Sequence, residues 1–177
     1  MPDLSSADNV GQQLKILERR IDNNSSRPSL KYGGTWRATN ATQLIAGDTD
    51  TLLLLNTAVG VTPSGITNNS NGTWTINVAG RWDFSLTYRI LLSSTGNQFF
   101  QKWIQRGTVS VAENQSSYSV AYFDRGTATG VGVQCNVGDV ISCYGRWTRQ
   151  SGIAGLTYFA DDPTNTTSFT AGWRGPL

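Results

Sequence analysis

Apolar side chains recur with two different periods along this chain, and the change falls near residue 30. Ahead of it, Val10, Leu14, Leu17 and Ile21 are separated by steps of four, three and four residues. Leu14 and Ile21 then occupy heptad position a, and Val10 and Leu17 position d. Ala7 extends the seam weakly, and Asn24 closes it with a polar layer. Ser5 and Asp8 resemble a capping box, while Asn23-Asn24-Ser25-Ser26 and Pro28 stop the helix. So few apolar layers cannot offset the ordering of a lone helix, which therefore needs something to pack on. Partner helices would make Val10, Leu14, Leu17 and Ile21 trimerisation residues. The alternative is an amphipathic helix laid on its own domain, and Leu and Ile at these positions do not by themselves fix the number of helices.

After residue 30 the period falls to two, and no second helix is predicted. Thr73–Val78 alternates with Trp74, Ile76 and Val78 on one face, and Trp82, Phe84, Leu86, Tyr88 and Ile90 form the longest such stripe. Further strands are predicted at Thr35–Ile45, Thr51–Val59 (with the run Leu52-Leu53-Leu54-Leu55), Phe99–Arg106 and Val109–Glu113. Ser117–Phe123, Val131–Cys135, Val140–Thr148, Leu156–Phe159 and Ser168–Trp173 complete the series. Asn68-Asn69-Ser70-Asn71-Gly72 is a turn signal. About ten strands separated by Gly- and Asn-rich turns predict an all-β sandwich or jelly roll. The expected organisation is an N-terminal coiled-coil or anchor helix over residues 1–26, a linker over 27–34 and a head over 35–177.

Composition agrees with a turn-rich β protein: 19 of 177 residues are glycine and only 15% are charged. The net charge is +2 and the basic residues are scattered, which argues against nucleic acid as a partner. No apolar run is long enough to insert in a membrane, and the polar N-terminus lacks the apolar region of a secretory leader. Cys135 and Cys143 flank Asn136-Val137-Gly138-Asp139. A simple hairpin about that turn would set Cys135 opposite Val140 and Cys143 opposite Gly132, too far apart for a disulfide. A connection crossing between two sheets would change that estimate; buried free thiols are expected.

Catalysis finds little to stand on. The chain has no histidine, which removes His-based triads and most zinc sites. Gly126-Thr127-Ala128-Thr129-Gly130 lacks the Lys-Ser/Thr of a phosphate loop. A glycosidase needs two carboxylates, yet Asp83, Glu113, Asp124, Asp139, Asp161 and Asp162 show no pairing by spacing. No cofactor and no metal site is expected. Asp161-Asp162-Pro163-Thr164-Asn165 offers oxygens to a calcium ion, but reads better as a solvated turn with Asx hydrogen bonds. Among the aromatics, Trp74, Trp82 and Tyr88 share parity with aliphatic neighbours and belong to packing. Trp103, Trp147 and Trp173 are less constrained and are the candidates for an exposed contact.

Three stretches carry a resemblance. Gly72–Gly80 running into Trp82–Ile90 is followed by Val131-Gly132-Val133-Gln134-Cys135-Asn136-Val137-Gly138-Asp139-Val140-Ile141-Ser142, and the chain closes on Thr167-Ser168-Phe169-Thr170-Ala171-Gly172-Trp173. Over residues 35–174 this resembles the globular head of C1q and tumour-necrosis-factor relatives. Their pattern is a Gly-x-Tyr/Trp strand start, a late Gly-Asp-x-Val/Ile turn and a terminal Ser-x-Phe-x-Gly strand. The resemblance implies a ten-stranded jelly roll that trimerises about a threefold axis beside a trimeric stalk. The collagen-like segment of animal C1q proteins is absent.

With Gln13-Leu14-Lys15-Ile16-Leu17-Glu18-Arg19-Arg20-Ile21 ahead of such a head, the whole chain resembles small minor tail proteins of tailed, chiefly actinobacterial, bacteriophages. That implies a homotrimeric virion protein, assembled in the host cytoplasm with other virion proteins, that contributes to attachment at a host-surface glycan. The alternatives are a capsid head fibre or decoration protein, and a free C1q-like or lectin-like binding module.

Overall fold

The computed structural model describes residues 32–38, 42–45, 47–60, 62–92, 98–118, 123–149, 157–160 and 167–177. The predicted helix, with Val10, Leu14, Leu17 and Ile21, lies outside the described residues, as does Asp161–Asn165. Among those described, thirteen strands form in order. They are β1 (Gly33–Arg37), β2 (Thr42–Ile45), β3 (Thr51–Leu52), β4 (Thr57–Ala58), β5 (Ile66–Asn68), β6 (Thr73–Ile76) and β7 (Gly80–Leu92). There follow β8 (Gln98–Arg106), β9 (Val109–Tyr118), β10 (Phe123–Cys135), β11 (Val140–Arg149), β12 (Thr157–Ala160) and β13 (Ser168–Gly175).

Two antiparallel sheets result. The first has seven strands in the order β2-β12-β7-β13-β1-β4, with β10 on the remaining edge of β7. The second has six, β5-β6-β11-β8-β9, with β3 on β11. Strict alternation builds the interface between them. From the first sheet Trp36, Trp82, Phe84, Leu86, Tyr88 and Phe169 point inward; from the second come Trp74, Ile76, Phe100, Ile104, Ile141 and Trp147, all essentially fully buried. At the centre the Phe169 ring sits 4.3 Å from Trp74 and 5.9 Å from both Trp36 and Phe84, joining the sheets through aromatic contacts. Lys102 is buried among them, its Nζ 2.8 Å from Ser116 Oγ and 4.1 Å from the Tyr88 ring centroid.

Several predicted boundaries change. β1 begins at Gly33, two residues inside the expected linker, and the predicted strand Thr35–Ile45 divides into β1 and β2. The leucine run is not one strand. β3 pairs with β11 in the second sheet and β4 with β1 in the first, so Leu53–Asn56 carries the chain from one sheet to the other. Leu53 and Leu55 are buried and Leu54 is exposed. Asn56 locks this crossing to the β5–β6 turn: its Nδ2 donates to Ser70 O, and its Oδ1 accepts from Gly72 N. Gly72, at φ +82°, packs against the Leu53 carbonyl where a Cβ would come within 2.8 Å.

Val109–Glu113 and the start of Ser117–Phe123 fuse into β9. Residues 124–130, covered by no predicted strand, instead form the middle of β10, which pairs with β7 along nearly its full length. Cys135 and Cys143 are both free and buried. They do not flank a hairpin: Cys135 lies opposite Gly80 in the first sheet and Cys143 opposite Ile104 in the second.

Candidate functional site

The solvent face of the second sheet gathers chemistry that the core does not use. Along β8, Phe100, Lys102 and Ile104 point inward, which turns Phe99, Gln101, Trp103 and Gln105 outward. Registry with β11 and β9 sets these side chains in rows. One row is Tyr144, Trp103 and Glu113; the next is Arg146, Gln101 and Gln115. The Trp103 and Tyr144 rings stack with centroids 5.6 Å apart at 13°. Arg146 Nη1 stands 3.5 Å from Asp50 Oδ1, while its buried Nε has no acceptor. Gln101 Nε2 donates to Gln115 Oε1 at 3.3 Å. A depression of about 260 Å³ opens over this face, with Trp103 as its aromatic wall and Gln101, Gln105, Glu113 and Arg146 among its lining.

A second feature lies at the end of the sandwich where β7 and β11 begin. Asp83 Oδ2 accepts from Arg174 Nε at 2.6 Å, and its Oδ1 accepts from Gly132 N at 2.8 Å, pinning the bulge of β10 to the end of β13. Asp139 Oδ2 accepts from Asn136 N at 2.9 Å and lies 3.9 Å from Arg106 Nη1. Arg106 also donates to the Gln134 carbonyl. Val109, Val131, Val137 and Val140 are exposed on the turns and strand ends of this region. Each acidic group here is held by a structural donor, so the arrangement stabilises turns.

The three unconstrained tryptophans separate. Trp147 is core. Trp173 is half-buried, donating from Nε1 to Ala79 O and meeting Tyr32 edge-to-face. Trp103 lies on the open face of a sheet. Of the carboxylates weighed for glycoside hydrolysis, Asp83 and Asp139 serve the turns and Glu113 stands on the outward face. No group of three His, Cys, Asp or Glu that could hold a metal occurs among the described residues. No helix among them is long and apolar enough to cross a membrane. Sequence reasoning left the Trp103–Tyr144 pairing unmade, because nothing in the order of residues set β8 beside β11.

No family model matches the chain, and no curated protein does. Solved structures do. Eiger TNF from S. frugiperda is 8% identical, with 82% of this chain and 94% of that chain covered at a TM-score of 0.53. Murine APRIL at pH 5.0 is 10% identical over 80% and 97%, at 0.51. PRD1 vertex protein P5 is 15% identical over 81% and 95%, at 0.49. At such identities the likeness to the first two is one of fold: the sandwich is a TNF-like jelly roll, as the C1q/TNF resemblance implies.

Proposed function

We propose that this chain is a homotrimeric bacteriophage virion protein, a minor tail or fibre component whose head contributes to attachment at the host surface. One conjunction supports it above all: a heptad seam at residues 7–24 stands directly ahead of a TNF-like jelly roll. Gly33 of β1 lies opposite Gly172 of β13, so a stem leading into β1 meets the head beside its last strand. In this role the helices join three copies and fasten them to other virion proteins, while the heads face outward. Three copies raise the avidity of individually weak contacts. The role is binding, without a catalytic step, and the particle assembles in the host cytoplasm.

Deleting residues 1–30 tests both halves of the proposal. The full-length protein is expected to be a trimer by native mass measurement, and the truncated protein to fold yet fail to enter particles. A full-length monomer at micromolar concentration, or particles that incorporate the truncated chain normally, would overturn it.

A further inference from the structure

We infer that the outward face of the second sheet, centred on Trp103, binds a neutral, hydroxyl-rich polysaccharide segment. This rests on the surface-attachment reading above and gives that attachment a location and a ligand class.

A sugar ring presents an apolar C–H face and a rim of hydroxyls that both donate and accept. The outward rows match that division. Trp103 supplies a flat apolar wall, held upright by Tyr144 stacked at 5.6 Å and 13°. The next row, roughly 6.6 Å along the strands, carries Gln101 and Gln115. Their amides donate and accept on one side chain, as a hydroxyl rim demands. Thr108 and Ser110 add hydroxyls at the other side of the depression.

Charge points the same way. Asp50 and Arg146 stand 3.5 Å apart and largely cancel, leaving Glu113 as the net charge of this wall. Among the described residues of this face, no cluster of cations selects an anionic polymer and no cluster of carboxylates selects a metal. The guanidinium of Arg146 keeps donor capacity in reserve, since its Nη1 contact to Asp50 is long, at 3.5 Å. The depression is open along the sheet, which suits a chain lying across it better than an enclosed small molecule. A cross-strand aromatic pair also stabilises a sheet; binding and stability must therefore be read separately.

The test runs the full-length protein through native gels containing a soluble glucan, mannan or galactan. At least one polymer should retard the wild type, and raising salt should leave the retardation unchanged. Trp103→Ala should weaken per-site binding about tenfold, ~1.4 kcal/mol, while keeping trimer mass and near-UV circular dichroism; Trp103→Phe should recover part of it. If Trp103→Ala loses the native spectrum, the outward-facing pair Gln101→Ala with Glu113→Gln replaces it and should weaken binding similarly. Absence of retardation by all three polymers overturns the inference. So does equal retardation of wild type and variants, or retardation that collapses in salt, the signature of a charged polymer. Whole actinobacterial cells separate the two levels. Cells that capture wild type and Trp103→Ala equally overturn this site and leave the attachment reading standing, whereas cells that never capture the wild type overturn both.

Discussion

Replacing Phe169 by alanine should be among the most damaging single changes available in this fold. The side chain is fully buried and its ring touches aromatic neighbours from both sheets: Trp74 at 4.3 Å, Trp36 and Phe84 at 5.9 Å. Phe→Ala substitutions in cores cost about 3–5 kcal/mol, the larger values arising where neighbours cannot close the hole. Three rigid rings fixed on β1, β6 and β7 cannot close it, so about 4–5 kcal/mol is expected here. Against a domain stability of about 5–15 kcal/mol the variant still folds. At about 2–4 °C per kcal/mol for a chain of this size, its midpoint should fall by roughly 8–20 °C. Thermal unfolding followed by near-UV circular dichroism, at one fixed protein concentration, reads this directly. The neighbouring Thr170→Ala, which removes only an exposed contact to Thr35 Oγ1, should stay within about 0.5 kcal/mol of wild type. A fall of less than about 3 °C for Phe169→Ala would refute the claim that this ring couples the sheets.

The crossing segment gives a paired prediction: Leu53→Ala should cost about 2–5 kcal/mol and Leu54→Ala almost nothing, measured by denaturant midpoints. Equal losses would mean the two leucines share one environment. The cysteines predict alkaline behaviour. Burial first, then Asp139, with Arg106 opposing, pushes the Cys135 thiol from 9.0 up to about 11, and burial pushes Cys143 well above 9.0. The folded state thus holds protons that the unfolded state releases. This contribution is whole below about pH 9 and is lost as pH rises through about 11. A Cys135→Ala, Cys143→Ala variant should show a flatter loss of urea stability over that range than wild type; identical slopes would contradict the burial argument.

Most of the core was legible in the sequence because β7 lies with one face in the interior. Trp82, Phe84, Leu86 and Tyr88 alternate cleanly, and all four are buried. The failures have local physical causes. At Leu52–Leu55 the chain changes sheets, and a segment that is half core and half crossing looks like a continuous apolar strand. In β10 the small residues are imposed by packing: a Cβ at Gly126 would collide with the Tyr88 hydroxyl, and one at Gly130 would meet the Val111 carbonyl at 2.9 Å. Space that a neighbour already fills leaves no apolar signal to read.

The candidate site was half legible. Trp103 was singled out, but β8 carries Phe100-Lys102-Ile104 on one face and Gln101-Trp103-Gln105 on the other. Each face holds both apolar and polar groups, so alternation alone cannot say which points inward. Lys102 settles inward because the Tyr88 ring and Ser116 receive its ammonium, a partnership visible only once the sheets are stacked.

The place of β13 between β7 and β1 bears on synthesis. The last of the described strands in chain order is an interior member of its sheet, bonded on one side to the first of them. Until residues 168–175 emerge, β1 and β7 face an open slot, and each presents a bare edge to other nascent chains. The head therefore completes its fold only once residues 168–175 have been made, and a chain lacking them would be prone to aggregate.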